Sequence, residues 1–160
     1  MNIQQVIQSQ YLASLAMMKQ AIELCPAEMW DDRAVKNRFW QVAFHALFYV
    51  HFYLQPTEED FVPWEKHQAH YDGMGQLDDN EPCSQADMLE YLALVQQQVA
   101  TITPTLDLEA PSGFYWLPFN KLELQFYSMR HLQLHVGELA ERLWDQAGLE
   151  VGWVGQVSNQ

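Results

Sequence analysis

Residues 130–139 read RHLQLHVGEL and place two histidines, His131 and His135, four positions apart in a long stretch with helical periodicity. At 3.6 residues per turn, positions i and i+4 lie one above the other on the same helix face. Two imidazoles with this spacing can bind one metal ion. Leu132, Leu134 and Leu139 flank the pair, so the histidines fall within the apolar arc of the helix. Because buried imidazoles without partners are costly, the pattern favours a metal ion that accepts both ring nitrogens.

The rest of the chain also shows helical patterns. Apolar residues at helical spacing predict four long helices, over residues 2–25, 38–54, 84–102 and 120–147. Ser84 and Asn120 are typical N-cap residues for the last two, and Gly148 is a typical helix stop. The second helix is apolar on nearly every side, which predicts burial all round. No repeat or convincing strand is visible. We therefore predict one all-α domain over residues 1–148, a four-helix bundle with long crossover loops.

The connections differ in character. Residues 26–37 are polar, with Trp30 as the lone large apolar side chain, which we expect to close one end of the bundle. Residues 55–82 form a long connection whose aromatic residues predict packing onto the helices. Residues 113–118 form an aromatic loop. The last residues, 149–160, are expected to be a loosely attached C-terminal tail.

The composition argues against several classes of protein. The chain has 160 residues, 49% of them hydrophobic, which suits one domain with a sizeable core. The net charge is −13 with only eight Lys and Arg residues, so neither nucleic acid nor an anionic membrane is an expected partner. Cys25 and Cys83 form no C-x-x-C pair and favour free thiols in a reducing compartment. No signal peptide is visible, and the longest apolar run, residues 42–54, is too short to cross a bilayer, which predicts a cytoplasmic protein.

A third histidine in the second helix is a candidate partner for the pair. His45 lies near the middle of that helix, where a bundle-core site would lie. His51 points about 120° away from it and is better interpreted as a hydrogen-bonded core residue. His67 and His70 lie in the long connection and are expected to face solvent. Three imidazoles from two helices would leave a coordination position open for water or substrate.

Other side chains near this face are candidates for supporting roles. Tyr49 and Tyr127 are candidate hydrogen-bond donors beside the site. Glu138 is either a surface carboxylate or the acceptor that orients a ligand imidazole. A di-iron carboxylate bundle needs Glu-x-x-His pairs, and none occurs in this sequence. A non-catalytic bundle that binds a small molecule or a protein partner remains an alternative, as does an enzyme that has lost its substrate contacts.

Two motifs together resemble the DinB/YfiT-like family of metal-dependent enzymes. Residues 39–45, FWQVAFH, are similar to the segment of the family's second helix that ends in histidine. Residues 131–139 are similar to the family signature H-x-x-x-H-x-G-[QE]-L, and residues 26–30, PAEMW, add a weaker likeness. The resemblance implies a four-helix bundle, frequent dimers, and zinc or nickel bound by the histidines at positions 45, 131 and 135. It also implies a small-molecule substrate and a thiol-dependent reaction, S-transfer or isomerisation, that uses a low-molecular-weight thiol. Independently of the resemblance, a metal ion at this site could lower the pKa of a bound water and so support a hydrolase-like reaction.

Overall fold

The structure, a computed structural model, describes residues 2–71, 73–75 and 81–157. The helices are, in chain order, α1 Ile3–Leu24, α2 Ala27–Trp30, α3 Phe39–Tyr53, α4 Gln85–Ile102, a 3-10 turn at Thr103–Thr105, and α5 Lys121–Ala147. Within the described ranges the only β pairing is an isolated bridge between Pro111 and Asn120. The prediction of an all-α chain is therefore confirmed. Among the same residues, no helix has the length and apolarity needed to cross a membrane.

The four long helices begin and end within one residue of the predicted positions, because local chemistry sets their ends. The Asn120 side chain accepts a hydrogen bond from the backbone N–H of Glu123 at 3.0 Å. Ser84 accepts in the same way from Asp87 at 3.1 Å. These contacts satisfy backbone donors that have no partner inside the helix. Gly148 follows α5 with a left-handed φ of 65°, and its N–H bonds back to the last turn.

The four long helices share one core, since α1 and α3 each contact both α4 and α5. The centre of α3 is the most deeply buried part, with Trp40, Phe44 and Leu47 fully inaccessible. This agrees with the prediction of a helix buried on nearly every side. One stripe of α3 is an exception to this prediction, because it is only half-buried. Its residues are His45, Phe48, Tyr49 and Phe52. That stripe carries the candidate metal ligand.

The segment before α3 is more ordered than its polar composition predicts. It contains the short helix α2, and Trp30 at its end is buried and donates its indole N–H to the carbonyl of Cys83 at 2.8 Å. The Asp31 carboxylate accepts a hydrogen bond from the buried Arg38 guanidinium at 3.1 Å. The same oxygen accepts the indole N–H of Trp40 at 2.8 Å. These contacts attach α2 to the start of α3, and the burial of Trp30 agrees with its predicted position at the bundle end.

The long connection packs onto the helices, as its aromatic residues predict. Trp64 is buried and stacks on Tyr91 of α4, with ring centroids 4.9 Å apart. Tyr71 is also buried, 5.1 Å from the ring of Phe44. Part of the predicted connection over residues 55–82 lies outside the described residues, namely 72 and 76–80.

Residues 149–160 were expected to be loosely attached, but the described part of this segment, up to Val157, runs along α1. Gln20 and Gly152 exchange two hydrogen bonds, of 3.2 Å and 2.8 Å. The N–H of Val157 donates to the hydroxyl of Ser9 at 3.2 Å. Hydrogen bonds from its backbone therefore attach this segment to side chains of α1. Its sequence alone does not indicate that attachment.

The aromatic loop 113–118 requires a glycine where it meets the end of α3. Gly113 has a φ of +88°, and a Cβ there would lie 1.9 Å from the carbonyl oxygen of Pro56. Gly113→Ala is therefore expected to lower the free energy of unfolding by about 2–3 kcal/mol, through backbone strain and a clash. Urea denaturation measures this. Gly148→Ala is the matched control, since its φ is also positive but a Cβ meets nothing within 4 Å, and an equal loss in both variants would contradict the role of the clash.

Candidate metal centre

Helices α3 and α5 bring three histidines to one point. The Nε2 atom of His45 lies 3.1 Å from Nε2 of His131. The Nε2 atom of His135 lies 3.2 Å from the same nitrogen. All three ligand atoms lie within 4.8 Å of one another. His45 and His131 are half-buried and His135 is buried, so the group lies at the edge of the core.

The hydrogen-bonding state of the three rings fits a cation. The Nδ1 atom of His135 lies 3.1 Å from Oε2 of Glu138, and an ionised carboxylate only accepts. In its neutral form, His135 therefore carries its proton on Nδ1 and has a lone pair on Nε2. If Nε2 of His131 carries a proton, it can donate a hydrogen bond to Nε2 of His135 or to Nε2 of His45, but not to both. One positive ion between the three nitrogens removes this conflict, because it accepts every lone pair at once.

The charge state of His131 also suits metal binding. Burial first of all, and then the neighbouring imidazoles of His135 and His45, lower the pKa of His131 to about 4. The ring is therefore neutral near pH 7, as a ligand must be. Its Nδ1 atom is buried and has no hydrogen-bond partner. His131 therefore makes its polar contacts through Nε2 alone, the nitrogen that faces the rings of His45 and His135.

A chain of polar contacts fixes the orientation of His135. Glu138 accepts the His135 proton with one carboxylate oxygen and a hydrogen bond from Arg142 with the other. Arg142 also donates to the backbone carbonyl of Asn37 at 2.6 Å. Glu138 thus has the contact expected of an acceptor that orients a ligand imidazole. The role of Arg142 was not predicted, although its i+4 spacing from Glu138 is a sequence signal for this ion pair.

The two candidate tyrosines occupy different positions. The ring of Tyr49 lies 4.8 Å from the ring of His45 and 5.4 Å from that of His131, measured between centroids. Tyr127 lies one turn before His131 on α5 and packs against the ring of Tyr53, 5.7 Å away. Both tyrosines pack against the same cluster around Tyr53, and Tyr49 is the one whose ring also contacts the imidazoles of His45 and His131.

The two histidines of the long connection were expected to face solvent, but each is only partly exposed and also packs against aromatic rings. His67 stacks on Phe44 and Phe48, with ring centroids 5.8 Å and 5.6 Å apart. The Nε2 atom of His70 lies 3.1 Å from the carbonyl oxygen of Glu81. The long connection covers aromatic rings on the half-buried stripe of α3. His67 and His70 therefore pack against neighbouring side chains.

His51 is a core residue with a hydrogen-bond partner, as predicted. It is buried, its Nδ1 lies 3.3 Å from the hydroxyl of Tyr91, and burial lowers its pKa to about 4. In the unfolded chain, the pKa of a histidine is about 6.5. The neutral His51 ring therefore makes its full contribution to the free energy of unfolding above that pH, and this contribution is lost as the pH falls towards 4. We expect His51→Gln to reduce the stability loss between pH 7 and pH 5 by about 2 kcal/mol. Urea titrations at both pH values measure this, and identical losses in the two proteins would contradict it.

Removing the charge of Glu138 is expected to weaken metal binding without abolishing it. Glu138→Gln keeps the size of the side chain but loses the ionised acceptor of His135. We expect zinc affinity to fall by about tenfold to hundredfold, measured by competition with a chromogenic chelator. Glu123→Gln, an exposed carboxylate on the same helix, is the control. Unchanged affinity in Glu138→Gln would show that this contact does not orient the ligand.

Comparisons with known proteins found no relative of this chain. No family model matches the chain, and no curated protein or solved structure matches it significantly.

Proposed function

We propose that the protein is a divalent-metal-dependent enzyme whose metal ligands are His45, His131 and His135. The observation that carries this proposal is the convergence of three Nε2 atoms from two helices within 4.8 Å. Three imidazole ligands leave a position of a tetrahedral ion open, which is typical of catalytic rather than structural zinc. Zinc or nickel is the proposed ion because the resemblance to the DinB/YfiT-like family implies it, and imidazole nitrogen is a suitable ligand for both.

We further propose that the four long helices form a four-helix bundle of the DinB/YfiT type. Support comes from the two motifs on which that resemblance rests. The first ends at His45 on α3, and the second begins at His131 on α5. These two segments are the ones whose histidine nitrogens meet, 3.1 Å apart.

The proposed reaction is thiol-dependent S-transfer to a small electrophilic substrate. A divalent ion held by His45, His131 and His135 would lower the pKa of a thiol, or of water in a hydrolase-like reaction, towards neutrality. In S-transfer the sulfur forms a bond to an electrophilic carbon, the leaving group departs with the bonding electrons, and the thiol proton passes to solvent. The chain would contribute the three imidazoles, the Glu138 carboxylate beside Nδ1 of His135, and the hydroxyl of Tyr49 as the proposed hydrogen-bond donor to the substrate.

A thiol screen tests the proposed reaction. Zinc- or nickel-loaded protein is mixed with monochlorobimane and, in turn, with several low-molecular-weight thiols, and bimane fluorescence reports transfer. We expect at least one thiol to react faster than in the protein-free mixture, and His131→Ala to lose this acceleration. His70→Ala, a histidine outside the group, serves as the control. The wild-type protein could bind metal and yet accelerate neither this transfer nor ester hydrolysis. That result would contradict the proposal that the protein is an enzyme and would favour a non-catalytic bundle that binds a small molecule or a partner.

A further inference from the structure

Three buried polar atoms on α5 have no regular hydrogen-bond partner among the described residues. They are Nε2 of Gln125, Oγ of Ser128 and Nδ1 of His131. The three residues are spaced three apart, so each side chain neighbours the next along the helix. Gln125 and Ser128 are 0% and 1% exposed, and a polar group buried to this extent without a partner is costly. The run therefore indicates a role beyond packing.

The phenol of Tyr11, on α1, lies beside the first two of these residues. Its hydroxyl donates to Oε1 of Gln125 at 3.0 Å. Burial raises the pKa of Tyr11, and the nearby Ser128 hydroxyl opposes this rise, as a proton directed at the phenol oxygen does. Because a carbonyl oxygen only accepts, Tyr11 uses its own proton on Gln125 and can accept the proton of Ser128.

The other proposed ligand on α5 shows what His131 needs. A histidine that binds metal through one ring nitrogen usually donates the N–H of the other to an oxygen. His135 has such an oxygen, because its Nδ1 lies 3.1 Å from Oε2 of Glu138. A metal-bound His131 carries its proton on Nδ1, and that proton needs a corresponding acceptor.

Ser128 lies where this acceptor is needed. Side chains on a helix lean towards its N-terminus and cover the preceding turn, so the ring of His131 lies over the turn that contains Ser128. A hydroxyl that donates its proton to Tyr11 still has lone pairs that can accept from His131. A hydrogen bond from Nδ1 to Oγ gives both atoms a partner and leaves the lone pair of His131 on Nε2. That nitrogen is the one that faces the other two imidazoles.

We propose that Ser128 is a positioning residue of the candidate metal centre, whose hydroxyl accepts the Nδ1 proton of His131 when Nε2 binds the ion. Hydrogen bonds then run from His131 to Ser128, from Ser128 to Tyr11 and from Tyr11 to Gln125. This order directs the Nε2 lone pair of His131 at the ion. The inference rests on the proposed metal site and assigns no chemical step to Ser128.

Zinc affinity and the stability of the metal-free protein together test this role. Ser128→Ala is expected to bind zinc about tenfold to hundredfold more weakly than the wild type, measured by competition with a chromogenic chelator. Without metal, its urea midpoint should be no lower than that of the wild type, because the substitution removes a hydroxyl that has no regular hydrogen bond. A purely structural residue would lower both quantities.

The matched control removes a hydroxyl that joins the same two helices. Ser14 on α1 bonds to Oε1 of Gln133 on α5 at 2.9 Å, and we expect Ser14→Ala to bind zinc like the wild type. If Ser128→Ala also binds zinc like the wild type, the proposal is overturned and the three-histidine site stands. If the wild type itself binds no zinc, both are overturned.

Nitrogen-15 NMR of the histidine rings in the zinc-loaded protein tests the hydrogen bond itself. We expect the Nδ1 proton of His131 to exchange slowly with water in the wild type and faster in Ser128→Ala. Tyr11→Phe keeps the ring but removes the phenol hydroxyl, so it should accelerate the exchange by a smaller factor. Equal exchange rates in the wild type and Ser128→Ala would rule out Ser128 as the acceptor.

Discussion

Replacing His131 by alanine is expected to weaken zinc binding by about a hundredfold to a thousandfold, equivalent to about 3–4 kcal/mol. His131 has the largest expected effect because its Nε2 lies within 3.2 Å of both other ring nitrogens. Its removal would leave His45 and His135 as a pair on two helices, with no imidazole between them. Isothermal titration calorimetry with zinc, or chelator competition if binding is tight, measures the change.

The control for this variant separates the predicted centre from other histidines. His70→Ala also removes one imidazole, but from a ring that lies against the carbonyl of Glu81. We expect its zinc affinity to equal that of the wild type. If His131→Ala and His70→Ala bind zinc equally well, the ion is held elsewhere or by no defined site.

The second large effect is expected at Asp31, on the stability of the fold. Asp31→Ala removes the carboxylate that faces the guanidinium of Arg38, which is only 1% exposed, and that accepts the indole N–H of Trp40. Removing one partner of an ion pair with a buried guanidinium is strongly destabilising, and the Trp40 indole loses its acceptor as well, so we expect a loss of about 3–5 kcal/mol in the free energy of unfolding. Urea denaturation followed by circular dichroism measures this loss.

The neighbouring carboxylate provides the comparison. Asp32 accepts a hydrogen bond from the backbone N–H of Ala34 at 2.9 Å in an exposed turn. Asp32→Ala is expected to cost less than about 1 kcal/mol, as substitutions at the surface usually do. Equal losses for Asp31→Ala and Asp32→Ala would show that the buried cluster around Arg38 contributes little to stability.

The sequence predicted the features that depend on local chemistry. Helix ends at Ser84, Asn120 and Gly148 are determined by side chains or backbone conformations within a few residues. The pairing of His131 with His135 follows from helical spacing alone. The meeting of His45 with that pair depends on the packing of α3 against α5, for which the sequence offers the apolar character of α3 and the resemblance of two motifs to one family.

Features that depend on contacts between distant residues were missed. The short helix α2 is held by Asp31 and by the bond from Trp30 to the carbonyl of Cys83, 53 residues away. The contact between Arg142 and Asn37 spans 105 residues. The position of the chain after Gly148 depends on polar side chains of α1. The spacing of residues within one segment does not indicate contacts with a distant segment. Taken alone, each of these segments has the sequence of an exposed polar surface.

The central claim is that three imidazoles bind one divalent ion, and crystals of the zinc-loaded protein test it most directly. Diffraction data collected on both sides of the zinc absorption edge locate the ion by its anomalous signal. We predict one peak per chain, at about 2.0–2.1 Å from the Nε2 atoms of His45, His131 and His135. A zinc peak at any other position, or fully loaded crystals with none between these three rings, would contradict the claim.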